Sequence, residues 1–329
     1  MAELAASGSG FTLLDFAKRT DPTGSQQVIA ELLQQNNPIL EDIVYKEGNL
    51  STGEQVAIRT GLPAVYWRKY NQRTPHSSST TAQNTFPFKT LKASSMNDAE
   101  LMELGGDVDQ ARLNELVAHI EAMNQEFAET YFYGDASSDE SEFSGLATTY
   151  SSHSTGESAV NVINGGGSGS NNASIYLVGH GINKVYCAFP KGSVAGLQHV
   201  DKGKITDNND SGTLDVYQDL ISWKATLVVK DWRYCVRICN IDVPALSGGL
   251  AADLPDLMIE ATSLLPNLEG ACFYMNRTLQ NHLVRQARND VQSGGGLTFE
   301  NVGGKKIATF MGIPVKRVDA LLSTEAAVS

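Results

Sequence analysis

The chain has 329 residues, and 25 Lys and Arg against 37 Asp and Glu leave it with a net charge of −12. That balance excludes a surface built to grip nucleic acid, which needs a basic stripe against phosphate. A hydrophobic content of 41% with 19% charged residues is that of a folded chain, and the length suggests about two modules or one elongated chain with excursions. No apolar run reaches about eighteen residues, so no membrane span is expected. Residues Met1 to Gly10 lack a basic segment followed by an apolar run, so no secretory signal is expected either. Cys187, Cys235, Cys239 and Cys272 stand singly among apolar and β-prone residues and read as small buried hydrophobes in a reducing compartment.

In chain order, two short helical patterns come first, one over Thr12 to Ala17 and one from Ser25 until Asn36-Asn37-Pro38 stops it. Neither is long enough to bury a core, so the first 44 residues read as an arm packed on something else. Gln55 to Thr60 and Ala64 to Tyr70 are strand-like, as is Thr85 to Lys92 beyond a polar tract at Ser77 to Thr81. Together they predict a long β-hairpin excursion over 45–95. Asn97-Asp98-Ala99-Glu100 opens a helix that Gly105-Gly106 interrupts. Leu113, Leu116, Val117, Ile120, Met123, Phe127 and Tyr131 then recur at helical spacing, with Glu115, Glu121, Gln125 and Glu129 on the other face. A helix of this length spans roughly 35–40 Å. Tyr133-Gly134-Asp135 ends it.

Asn164 to Asn172 is a glycine-serine run that reads as a flexible loop; no Lys-Ser/Thr follows, so it is not a phosphate cradle. Strands are expected over Ser174–Gly179, Lys184–Phe189, Ser222–Lys230 and Tyr234–Ile241, the last two paired through an Asp231-Trp232-Arg233 link. The region from 249 reads as a small α/β unit. Asp253 caps a helix with Leu254, Leu257, Met258, Ala261 and Leu264 inward; Gly270 to Asn276 is a strand, and Asn276 caps the next helix.

Charge divides sharply. Residues 45–95 carry seven cations against two carboxylates, +5, whereas 96–145 carry thirteen carboxylates against Arg112 alone, −12. Opposite neighbouring segments suggest pairing within the chain or contact between copies; two separately solvated faces are the alternative.

Catalytic and metal chemistry lacks its residue patterns. The six histidines are not at ligand spacing from one another or from cysteine, and no Gly-x-Ser-x-Gly elbow occurs. His180, between two glycines, reads as a hydrogen-bonded strand end, and Cys235 and Cys239 as packing residues on one sheet face. Tyr66-Trp67-Arg68-Lys69-Tyr70 reads as an interface or core anchor rather than a base-stacking platform. No enzyme, cofactor or metal is expected.

Three passages carry a family resemblance: Tyr131-Phe132-Tyr133-Gly134-Asp135 with Phe143-Ser144-Gly145-Leu146, Phe273 to Leu279, and Phe310-Met311-Gly312-Ile313-Pro314-Val315 with Asp319. They resemble the "YGDG…GL", strand-to-helix and "L-x-G-x-P-V…D" passages of tailed-bacteriophage major capsid proteins of the Hong Kong ninety-seven fold. The resemblance covers about 12–322 and implies an α+β fold with an N-terminal arm (1–44), an E-loop hairpin (45–95) and a spine helix (96–145). A peripheral β-rich region (146–248) and an axial domain (249–329) complete it. The β-rich passage precedes the axial module here, the reverse of the type member, which implies a permuted strand order similar to a Bordetella short-tailed phage.

The implied function is a structural subunit of an icosahedral viral head, self-assembling into hexamers and pentamers around packaged double-stranded DNA. Portal, scaffold and decoration proteins are the implied partners, and the host cytoplasm is the place of assembly. An encapsulin-like nanocompartment shell is the alternative, and a hydrolase or nucleotide-binding enzyme a third. In the family the E-loop lies over a neighbour, so the expected intersubunit residues are Tyr66, Trp67, Arg68, Lys69, Arg73, Phe86 and Phe88, meeting Glu115, Glu121 and Glu129. Lys89 and Lys92 lie in the segment where some members carry a cross-linking lysine, but no partner asparagine is identifiable and no cross-link is expected.

Overall fold

The computed structural model describes residues 33–104, 107–209, 212–247, 252–289, 297–302 and 305–329. The helices expected over 12–17 and from Ser25 lie outside the described residues. The elements are α1 (Ile39–Asp42), β1 (Tyr45–Glu47), β2 (Gly53–Gly61), β3 (Thr80–Pro87), β4 (Lys89–Asp98), α2 (Ala99–Glu103) and α3 (Val108–Tyr133). They continue with α4 (Leu146–Thr149), β5 (Val162–Asn164), β6 (Asn172–Gly179), β7 (Val185–Phe189), β8 (Leu197–Asn209), β9 (Gly212–Val229) and β10 (Cys235–Asp242). Last come α5 (Leu254–Leu264), β11 (Ala271–Met275), α6 (Arg277–Asn289), β12 (Leu297–Val302), β13 (Lys305–Phe310) and β14 (Ile313–Arg317).

A seven-stranded sheet runs β12-β13-β14-β11-β6-β10-β5. Its interior strand β6 is buried at every position, so alternate side chains must feed two cores. Tyr176 and Val178 face α3, where they meet Phe127, Tyr131 and Phe132. Ile175 and Leu177 face α5 and α6, where they meet Met258, Ala261, Leu279 and Leu283. Cys235 and Cys239 of β10 lie together in the first of these cores, and all four cysteines are free and buried. The caps fall where the sequence places them: Asp253 accepts from the Asp256 amide and Asn276 from the Leu279 amide.

A second sheet runs β1-β7-β9-β4, with β8 also on β9. The hairpin β2–β3 is a separate two-stranded sheet, paired from Gly53↔Pro87 out to Gly61↔Thr80.

The structure differs from the sequence reading in five places. Ala64 to Tyr70 is extended but unpaired, because the β2–β3 ladder ends at Gly61 and the tip turns at Lys69–Gln72, where Asn71 takes φ 62°. The strand expected over Thr85 to Lys92 breaks at Phe88, and Lys89 onward pairs with β9 instead. β9 and β10 do not pair: a 3-10 turn at Trp232–Tyr234, capped by Asp231, passes the chain between the two large sheets. β10 is buried on both faces and needs the interior place between β6 and β5 that a hairpin with β9 would deny it.

The β8–β9 ribbon, with strands of 13 and 18 residues, is far longer than the strand expected from Ser222, because its outer half is polar and lacks an apolar pattern. The glycine-serine run is pinned, since the Gly165 and Gly167 amides bond the Cys239 and Asn240 carbonyls at 2.8 and 2.7 Å. A Cβ on Gly167 would stand 2.7 Å from the Asn240 carbonyl, so glycine permits this approach. β5, β6 and β10 of the 146–248 region share one sheet with β11 and β14 of the 249–329 region.

Candidate assembly interface

The hairpin is anchored at its base and bare at its tip. At the base, Glu54 is buried and accepts from Lys46 Nζ at 2.7 Å, the Asn49 amide at 2.7 Å and Tyr186 Oη at 3.0 Å. Burial alone would raise this carboxyl, but those donors outweigh it and hold it below the usual carboxylate range. Phe86 and Phe88 pack within their own subunit, against Val56, Tyr186, Ala188 and Val228. At the other end every residue from Leu62 to Ser78 is exposed, Trp67 and Tyr70 fully so. Tyr66, Trp67, Arg68, Lys69 and Arg73 therefore share one tip, where among the described residues no carboxylate pairs with the three cations.

The acidic helix is held to the body by its only cation. Arg112 of α3 reaches Asp219 at 2.8 Å and Asp201 at 2.5 Å, clamping α3 to the β8–β9 ribbon, and His199 Nε2 stands 2.9 Å from the same Asp219. Sequence reasoning missed Asp201 and Asp219, which lie 89 and 107 residues from Arg112 and leave no local pattern. The Arg112 hydrogen bond draws the Asp201 carboxyl below its ordinary range. Only the second half of the α3 stripe is buried: Met123, Phe127 and Tyr131 are inside, Leu116 and Ile120 half-covered, and Leu113 and Val117 exposed. Of the expected acidic residues, Glu115 stands 4.0 Å from His119, Glu121 accepts from the Gln35 amide, and Glu129 is exposed.

Beside this half of α3 lies a cleft of about 260 Å³ lined by Lys89 to Leu91, Glu126, Phe127, Thr130, Asp139, Ser141 to Phe143, Trp223 and Ala225. Phe127 and Trp223 stack in its wall, with centroids 4.2 Å apart and planes 2° from parallel. Partial burial, and then the charges of Glu129 and Glu142, push the Glu126 carboxyl up. Lys89 Nζ donates to the Glu140 carbonyl.

The loop that shapes this cleft is set by two glycines. The Gly145 amide bonds the Gly134 carbonyl at 2.8 Å, and Thr148 Oγ1 donates to the same carbonyl at 2.7 Å. A Cβ on Gly145 would lie 2.6 Å from the Thr130 carbonyl, and one on Gly134 2.4 Å from that of Phe143. The spacing of the two glycines in the sequence is thus a packing constraint at the end of α3.

A family model described as major capsid protein GP7 matches residues 21–329. The chain belongs to this family. A solved structure of bacteriophage epsilon15 is 31% identical, covers 99% of both chains and superposes with a TM-score of 0.76. The capsid of Myoviridae phage XM1 matches at 11% identity over 65% of this chain and 95% of that one, TM-score 0.42. The SrpI encapsulin of Synechococcus elongatus PCC 7942 matches at 10% over 70% and 96%, TM-score 0.44. Matches of that size carry no argument. No curated protein matches. The α+β capsid fold of the Hong Kong ninety-seven type stands, and the likeness to a Bordetella phage is not confirmed; the full-length likeness is to epsilon15. This capsid protein is a structural subunit of an icosahedral viral head, a multimeric shell of like subunits, and its place is the virion.

Proposed function

We propose that the subunits join into hexamers and pentamers by laying the 45–95 hairpin of one copy on the acidic 96–145 segment of the next. The observation that carries this reading is the tip: Leu62, Val65, Tyr66, Trp67 and Tyr70 stand exposed together with Arg68, Lys69 and Arg73. An apolar patch of this kind on a subunit of a shell marks an interaction surface. Its cations are attracted to the neighbour's carboxylates within a Debye length of about 8 Å at physiological salt. Exposed pairs contribute below about 1 kcal/mol each, so charge steers register while the aromatic side chains supply burial.

On this reading 1–44 is the arm, 146–248 the peripheral region and 249–329 the axial domain. The shell encloses double-stranded DNA without reading its sequence, assembles in the host cytoplasm, and meets portal, scaffold and decoration proteins. The triple variant Arg68→Glu, Lys69→Glu, Arg73→Glu is expected to give a folded, soluble subunit that forms few closed shells by negative-stain microscopy. Normal particles from it would overturn the reading.

A further inference from the structure

The reading above leaves open where on the neighbour the hairpin tip lands. The cleft beside α3 has the chemistry that the tip lacks. Its wall is aromatic, Phe127 stacked on Trp223 with Phe143 tilted against Phe127 at 5.7 Å. Its lining carries three carboxylates, Glu126, Asp139 and Glu142, against one cation, Lys89, which is engaged with the Glu140 carbonyl. Glu129 stands next to Glu126 and adds to the negative field.

At about 260 Å³ the cleft is below the roughly 300–1,000 Å³ of small-molecule sites. It suits a single large side chain entering from outside. Trp67 is the largest fully exposed side chain among the described residues, and Arg68 and Lys69 follow it directly. Successive residues advance by at most about 3.6 Å, so an indole in the cleft brings both cations within reach of the carboxylates on its lining.

The occupant must come from another copy. The cleft borders Lys89, at the base of the hairpin, and the eight paired residues of β3 separate that base from the tip by roughly 26 Å. A paired ribbon does not fold back onto its own base.

We propose that the cleft between α3, the start of β4 and the 139–143 loop is a socket that receives Trp67 of a neighbouring subunit. This rests on the hairpin-on-neighbour reading and adds its landing site. It also accounts for Glu126, whose carboxyl is pushed up by burial and by Glu129 and Glu142 in the isolated subunit and is relieved when Arg68 or Lys69 arrives.

The test is a charge swap on the full chain, scored as closed shells by microscopy, with each subunit confirmed as folded by circular dichroism. Arg68→Glu with Lys69→Glu, and separately Glu126→Lys with Glu142→Lys, are each expected to lower shell yield about tenfold, and all four together to restore it. If the tip pair assembles normally, the hairpin reading itself falls. If the tip pair fails and the four changes together do not restore yield, the socket is overturned while the hairpin reading stands. A second measurement is independent of reversed charge: Tyr70→Cys with Ser141→Cys, oxidised in assembled particles. Because all four native cysteines are buried, a ladder of covalent oligomers on a non-reducing gel is expected from the new pair alone. Monomer only would overturn the socket.

Discussion

At the residue scale, Gly145 is chosen for space rather than for backbone freedom. Its φ is −83°, open to any residue, but a methyl group there would press on the Thr130 carbonyl, the Phe132 carbonyl carbon and the Gly134 amide nitrogen at 2.6 to 2.9 Å. None of these is the end of a flexible side chain that can move aside. Gly145→Ala is expected to cost about 3 kcal/mol, read as a lower urea midpoint for the free subunit, while Ser144→Ala, at an exposed neighbour, leaves the midpoint unchanged.

His180 makes a different residue-scale argument. Its Nε2 lies 2.9 Å from Tyr274 Oη, and that hydroxyl gives its one proton to Asp42 Oδ2 at 2.7 Å. The imidazole must therefore donate from Nε2, which leaves Nδ1 buried without a partner. Burial, opposed by the pull of Asp42 and aided by Lys316, lowers this histidine to about 4. The unfolded chain titrates near 6.5, so between those values it binds more protons than the folded one. The stability this histidine contributes is whole above pH 6.5 and is lost as pH falls toward 4, by about 3 kcal/mol at most. Denaturation from pH 7 to 4.5 is expected to show a steeper loss for the native subunit than for His180→Gln. Parallel slopes would contradict it.

At the element scale, the β2–β3 hairpin stands apart from the other sheets. Two strands without a third partner or a covered face are marginal in water. The hairpin is tied down mainly by Glu54 and by Phe86 and Phe88 at its base. Its amides are expected to exchange hydrogen much faster than those of β6 and β10 in the free subunit, and to gain protection in assembled shells. Equal protection in both states would mean that the hairpin is held by its own subunit. The helix α3 was legible in outline, in its period and in its end at Gly134, whereas its cap, Asp107 accepting from the Gln110 amide, was not read from the sequence. Which part of its stripe is covered was not legible. Leu113 and Val117 fit the helical period as well as Met123 and Phe127 do, but they stand exposed.

At the scale of the whole molecule, the net charge of −12 conceals a dipole, and the structure shows that only part of it is settled within one chain. Lys204 of β8 pairs with Glu103, so the ribbon takes up one carboxylate of the acidic segment, while Arg112, the segment's one cation, is engaged by Asp201 and Asp219 of the ribbon. Among the described residues the tip cations and the carboxylates at the cleft form no ion pair of this kind. Inside, the reverse holds: Arg237 and Glu325 pair at 2.8 Å, both nearly inaccessible, and Ser174 and Tyr133 also donate to Glu325. That network fastens the segment around Glu325 between the cores, and nothing in the local sequence at Glu325 announces it.

The sequence by itself determined what depends on near neighbours along the chain. Caps at Asp253 and Asn276, the helical period of α3 and the separation of charge are short-range facts, as are the passages ending in Gly134-Asp135 and Gly145-Leu146, Phe273 to Leu279 and Phe310 to Val315 that carried the capsid resemblance. Sheet membership was decided only by the tertiary structure. β9 and β10 read as a hairpin, yet β10 is buried on both faces and therefore needed an interior place, which the chain supplied by crossing to the other sheet. The cleft likewise joins residues from β4, α3, the 139–143 loop and β9. Their proximity comes from the way the two large sheets and α3 pack, and no spacing along the chain encodes it.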